Sequence, residues 1–340
     1  MSEAGWPIER LAPAVEASPR ANAYLSLEPG LRQIATDNGV VTWAASKRHA
    51  FIVGGIHQNG GQDGAEMLAH ARDQLREARY RRVLLFPVAE SERQTARESG
   101  FRSLMVGSEA FVDPQDFALR GKRYVDLRQM LNRATKRYGV RIAEVAATTP
   151  GLASLYAHWL ANRPAGHQMS LLIGTPCLSR AAGRRYLAAF VPQSPEPVAF
   201  VSLTPGWGGA GWGVDVMVRG PEAPAGVMEA LLTEAVRQSA DLGATRFSLG
   251  ACPMAEHAQL QGRDSRFLRA VFRWLYRSWI GNHLFAFRSL TFFKNKFAPT
   301  WEGVYMAAWP TLNVWSLYAG CRMWGLFGPP PLRIPAKQPG

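Results

Sequence analysis

Apolar and polar positions switch period repeatedly along this chain, which predicts a mixed α/β fold rather than an all-helical or all-strand one. Val40–Ala44 and His49–Val53 are short apolar runs and read as paired strands. The glycines at 54, 55, 60, 61 and 64 read as a loose connection rather than a phosphate cradle. From about Ala65 to Arg79, Met67, Leu68, Ala71 and Leu75 recur at the spacing of one helical face. A strand over Arg82–Val88, a helix near Ala89–Ser99 and a strand at Leu104–Val106 complete a first half. Arg123–Tyr138 reads as a helix with an apolar stripe of Leu127, Met130, Leu131 and Ala134. The plan then repeats, with a strand at Ile142–Val145, a helix over Gly151–Asn162 and an antiparallel pair at Tyr186–Val191 and Pro197–Leu203. A strand at Trp212–Val218, a Pro/Gly loop, a helix over Val227–Leu242 stopped by Gly243, and a strand at Arg246–Gly250 follow. The first 25 residues or so read as a tail leading into a short helix, and the last ten as disordered.

Composition narrows the class. The 340 residues are 47% hydrophobic and include 11 Trp, 9 Tyr and 16 Phe, enough for real cores. The formal net charge of +13 points to a polyanionic partner, either nucleic acid or an anionic membrane surface. Three cysteines (Cys177, Cys252, Cys321) at wide spacing give no disulfide framework. The N-terminus lacks the apolar core of a secretory signal, and no run of about 18 uncharged apolar residues exists to span a membrane. These features predict a reducing compartment, the cytoplasm.

Candidate chemistry concentrates near the C-terminal end, in Leu290–Glu302. If that segment is extended, Lys294 and Lys296 share one face and Phe293, Asn295 and Phe297 the other. Two ammonium groups over an apolar wall suit a phosphate or a developing oxyanion; the alternative is an edge strand protected by lysines. Asp215 is a lone carboxylate in an apolar strand, so it is either used or paired with Arg219 or another arginine. On the basic helix, Arg123, Arg128, Arg133, Lys136 and Arg137 form either an anion-facing surface or an ordinary solvated face. His283 lies near the lysines as a general base or as a packed histidine. The aromatic stretch Phe267–Phe327, interleaved with arginines, suits a membrane interface or an unpaired RNA end, or else a core helix. No metal-ligand spacing, serine-nucleophile elbow, Walker loop or dinucleotide fingerprint occurs.

The strand, loop, amphipathic helix and strand over 212–250 resemble the core of the GNAT-type N-acetyltransferase fold. In that fold the loop before the helix holds the coenzyme A pyrophosphate. Here Arg219–Gly226 lacks the glycine pattern, and Pro221 and Pro224 each remove an N–H, so coenzyme A is not expected. Four ordered segments then resemble the C-terminal domain of phosphatidylglycerol lysyltransferases, over roughly residues 20–310. They are Val106–Asp113 running through Phe117–Lys122 into the basic helix, Val214–Met217 with Ala223–Glu229, Phe247–Met254, and Phe293–Glu302. The resemblance implies two tandem GNAT-like halves joined by the basic helix. The expected boundaries are 1–22 (tail), 23–122, 123–138 (helix), 139–310 and 311–340 (aromatic helix and Pro-rich tail).

By the same resemblance, the expected activity moves an amino acid from an aminoacyl-tRNA to a hydroxyl of an anionic phospholipid. It would act peripherally on the cytoplasmic membrane surface, without cofactor or metal and in a stand-alone form lacking the flippase domain of familiar members. Asp215, Lys294 and Lys296 are the implied catalytic residues, and Arg219, Glu229, Arg128, Arg133, His283 and Asn282 the implied substrate contacts. Asn282 and Thr291 stand where the family pattern carries an acidic residue and an arginine. That keeps two alternatives open: another acceptor, or a binding module without turnover.

Overall fold

Amphipathic helices alternating with apolar strands bury their faces by sharing one sheet. The computed structural model describes residues 5–58, 63–162, 171, 174–175, 183–253 and 287–325. Eleven strands among them form one sheet, in the order β1-β2-β3-β4-β11-β5-β10-β9-β8-β7-β6. The strands are β1 (Arg32–Ala35), β2 (Gly39–Ser46), β3 (His49–Gln58), β4 (Arg82–Ala89), β5 (Arg102–Val112), β6 (Arg141–Val145), β7 (Arg185–Phe190), β8 (Ala199–Gly206), β9 (Gly211–Arg219), β10 (Arg246–Pro253) and β11 (Thr300–Trp309). Only β3–β4 and β9–β10 pair in parallel. Each of these pairs is bridged by a helix, α2 (Gly64–Glu77) in the first and α6 (Val227–Asp241) in the second. These are the two halves of a tandem GNAT-like fold, joined edge to edge where β5 meets β10 antiparallel.

β11 changes the division read from the sequence. It comes from the C-terminal end of the expected second half, yet it pairs antiparallel with both β4 and β5. The first half is therefore completed by residues that follow the second. On one face of β3, β4 and β11, Ile52, Val83, Leu85 and Ala307 pack against Met67, Leu68, Ala71 and Leu75 of α2. On the other, Phe51, Leu84, Phe86, Met306 and Ala308 pack against α8 (Val314–Met323). In the second half, α6 buries Leu231, Leu232, Ala235 and Val236 against Leu187, Val201 and Phe247.

Two expectations for the N-terminal region need correction. Residues 8–16 form helix α1 (Ile8–Glu16), which buries Leu11, Ala14 and Val15 with Tyr24 and Val40, so the chain from Trp6 onward is packed rather than a tail. Gly54 and Gly55 lie inside β3 at a bulge, with φ of 73° and 91°, where the chain around Arg20 and Ser26 approaches too closely for any side chain. The basic segment is helical as expected, as α4 (Val125–Asn132) running into a π-helical turn at Arg133–Arg137. Leu127 and Ala134 face the core, while Arg133, Lys136 and Arg137 face solvent.

Candidate functional site

The parallel pair β9–β10 holds register only over Arg246↔Gly211, Phe247↔Trp212 and Ser248↔Gly213. Beyond that point the strands part, because Gly250 adopts φ 84° at a bulge in β10. Parting strands leave buried carbonyls without ladder partners, a costly arrangement unless another donor arrives. Lys294 is that donor. It sits on α7 (Phe287–Asn295), is 1% exposed, and donates from Nζ to the Gly250 carbonyl at 2.6 Å and the Ala251 carbonyl at 3.1 Å. It also hydrogen-bonds the buried Cys252 thiol and lies within electrostatic reach of Glu109. Burial holds the Lys294 ammonium below the ordinary lysine range.

The extended conformation under which Lys294 and Lys296 would share a face does not form. Residues 287–295 are helical, because Phe297 buries against Phe117 in the second core and Phe293, half-buried, packs on Phe297 instead of alternating with the lysines. The two lysines consequently diverge. Lys296 leaves the helix end and pairs with Glu229 on α6 at 2.8 Å, and both side chains are largely buried.

On the β9 side of the divergence stands Asp215. A Cβ added at Gly250 would lie 3.5 Å from Lys294 Nζ and 3.7 Å from the carbonyl of Val214, so the residue preceding Asp215 and the lysine border one point. The Asp215 carboxylate accepts from Arg184 Nε and from the Ser202 hydroxyl, each at 3.2 Å, and from the Gly174 N–H. Gly174 approaches so closely that any side chain there would overlap the carboxylate. Arg184 also faces Glu28 at 4.0 Å, and Glu28 in turn accepts from the Thr175 N–H at 2.7 Å and from the Thr175 hydroxyl. Two buried carboxylates thus share one guanidinium. Burial raises the pKa of both, and Glu28 is carried to about 7. The result is a buried cluster of two carboxylates around one guanidinium, an acidic environment that favours a cation.

A third buried carboxylate, Glu109 on β5, lies on the Lys294 side. It accepts from the Ser248 hydroxyl, which itself accepts from the Gly250 N–H at 2.9 Å. Across the sheet it registers with Glu302, whose charge is taken by Arg246 at 2.6 Å. Burial raises the Glu109 pKa as well. The corresponding divergence in the first half is closed differently. There Arg20 donates to the Pro87 carbonyl at 2.8 Å and pairs with Glu92, so that cation is neutralised within the fold.

The remaining sequence candidates scatter. Arg128 donates to the carbonyls of Leu119 at 3.1 Å and Gly121 at 2.9 Å, clamping the loop that precedes its own helix. Arg133 is exposed beside Tyr138. Arg219 does not pair with Asp215; it donates to the Ala223 carbonyl at 2.9 Å and braces the Pro/Gly loop. Asn282 and His283 lie outside the described residues. Glu28, Glu109, Arg184, Ser202 and Ser248 were not legible as site residues, because their partners lie far away in the chain. The N-terminus of α6, where GNAT-type enzymes hold pyrophosphate, is covered by α4. Gly226, with φ 90°, abuts the Met130 carbonyl and Ala134, and the Val227 N–H is taken by the Pro224 carbonyl.

Comparisons with known proteins agree with this architecture. The L-PGS structure from Bacillus licheniformis aligns with a TM-score of 0.76 at 20% identity, covering 95% of this chain and 98% of that one. The C-terminal domain of a putative lysylphosphatidylglycerol synthetase from Agrobacterium fabrum aligns at 0.72 with 21% identity, covering 89% and 92%. By sequence, the phosphatidylglycerol lysyltransferase of Bacillus subtilis is 26% identical over 231 residues, covering 66% of this chain and 26% of that protein. The lysylphosphatidylglycerol biosynthesis bifunctional protein LysX of Mycolicibacterium vanbaalenii is 35% identical over 161 residues, covering 46% and 14%. The chain therefore matches only a minor part of the length of these curated relatives. Residues 17–308 match the family described as "Phosphatidylglycerol lysyltransferase, C-terminal", and the chain belongs to that family of transferases.

Proposed function

We propose that the protein transfers an amino acid from an aminoacyl-tRNA to a hydroxyl of an anionic glycerolipid such as phosphatidylglycerol, at the cytoplasmic membrane surface. The observation that carries this reading is a buried ammonium, Lys294, and a buried carboxylate, Asp215, on either side of one strand divergence. In the reaction the lipid hydroxyl oxygen bonds to the aminoacyl carbonyl carbon and the ester to the tRNA ribose breaks. The hydroxyl proton ends on the ribose oxygen, so one ester replaces another without a redox partner. Asp215 and Glu28 hold the α-ammonium of the aminoacyl group, and Lys294 offers its charge to the tetrahedral oxyanion. Lys296 and Glu229 act as a strut between α7 and α6. Coenzyme A has no part in this reading: α4 abuts Gly226 at the start of α6, and Pro221 and Pro224 lack the N–H groups that a pyrophosphate would use.

Thr291 favours a second acceptor as the runner-up. It stands where the family pattern carries an arginine and hydrogen-bonds Cys252 beside Lys294. The test incubates purified protein with radiolabelled aminoacyl-tRNAs and phosphatidylglycerol vesicles, with Asp215→Asn and Lys294→Met alongside. Label is expected in the organic phase and is expected to fall at least about a hundredfold in both variants. Label in an aqueous product would move the acceptor away from lipid. Tight tRNA binding without transfer of any amino acid would defeat the enzyme reading.

A further inference from the structure

Helix α8 presents an unusual surface. Its inner positions, Leu317, Gly320 and Met323, pack on the sheet, and Gly320 lies close against Met306. At the helix end, Trp324 meets Phe86 edge-on at 4.7 Å and Phe51 at 6.2 Å, so the element is firmly seated. An ordinary surface helix would turn polar residues outward. Here the outer positions are Val314, Trp315, Tyr318 and Arg322, which at helical spacing fall within an arc of about 100°. Val314, Trp315 and Tyr318 are 51%, 67% and 47% exposed, and the Trp315 and Tyr318 rings stack edge to face at 6.5 Å. Arg322 is the single charged residue between Pro310 and Gly325, and no acidic residue occurs there.

From this we infer that the outer face of α8 is a bilayer-docking surface that inserts Trp315 and Tyr318 at the headgroup level of an anionic membrane. Trp and Tyr carry an apolar body and a polar tip, the combination favoured at that depth, and Arg322 can keep its stem among the chains while its head meets phosphate. The missing acidic residues and the net charge of +13 complement an anionic surface. A second copy of the chain fits less well. Three large side chains on a ten-residue helix fall short of the roughly 1,200 Å² that a stable protein interface buries, and self-pairing would bring the same cation near itself. Because α8 is already folded and seated on the sheet, docking needs no ordering of the helix.

The inference rests on the lipid reading above, but its test is separate from catalysis. The full chain would be floated with phosphatidylcholine vesicles, with and without phosphatidylglycerol, beside Trp315→Ser/Tyr318→Ser and Arg322→Gln. The double variant should bind both vesicle types about tenfold or more weakly, with an unchanged melting profile. Arg322→Gln should lose only the preference for phosphatidylglycerol. Vesicle binding by the double variant equal to that of the unsubstituted protein would overturn the surface. So would a self-associated species that dissociates in the double variant while vesicle binding persists. Transfer to a short-chain, monomeric phosphatidylglycerol reads the chemistry alone. Its loss in the unsubstituted protein would sink the functional reading and leave the docking surface standing.

Discussion

Replacing Glu28 by Gln tests the buried acidic cluster without changing the volume of the side chain. In the folded protein the Glu28 carboxyl is carried to about 7 by burial, against an ordinary value of 4.5, with hydrogen bonds from Thr175 and the Arg184 charge opposing only part of that shift. A carboxyl whose folded pKa is raised favours the protonated folded state. Its stabilising effect is therefore present below pH 4.5 and lost as pH rises towards 7. The loss between pH 5 and pH 8 amounts to about 2–3 kcal/mol as an upper value. For a chain of this size that corresponds to a fall in melting temperature of roughly 3–4 °C. Asp215 and Glu109, also raised by burial, add to the same slope in both proteins, so the diagnostic quantity is the difference between them. Melting curves from pH 5 to pH 8 should fall more steeply for the unsubstituted protein than for Glu28→Gln, and the gap should close below pH 5. If the Glu28 and Asp215 carboxylates hold an ammonium, lysinamide should bind the unsubstituted protein more tightly as pH rises through 7, opposite to the stability trend. Parallel melting slopes in the two proteins would refute the buried, strained carboxyl on which this reasoning depends.

Two further outcomes probe the frame of the site. Lys296→Ala leaves Glu229 buried without its partner and should cost about 2 kcal/mol in urea unfolding, most of it recovered by adding Glu229→Gln; an unaltered single variant would mean the pair is not a strut. Gly226→Ala forces a side chain into φ 90° and against the Met130 carbonyl, and should destabilise by at least about 2 kcal/mol while exposing α4 to limited proteolysis. A variant as stable and as protease-resistant as the parent would refute the close seating of α4 on α6.

Local pattern determined much of this protein. Periodicity alone placed α2 through Met67, Leu68, Ala71 and Leu75, and the run from β9 through α6 to β10 was readable because each element carries its own hydrophobic period and its own stop signals. The ordered motifs were sufficient to recognise the family. Asp215 was legible as well, since a carboxylate in an apolar strand announces that something must compensate it. The tertiary structure decided the rest, for reasons that act over long chain separations. It made the lysine segment a helix, because burying Phe297 against Phe117, with Phe293 packed on it, outweighed the alternating pattern. It sent Lys296 to Glu229 and Lys294 to carbonyls that exist only because two parallel strands part at Gly250. It set Glu28 and Arg184 beside Asp215, and it placed β11 between β4 and β5. A sequence states which side chains need partners; which partner each one receives is settled by how the sheet closes.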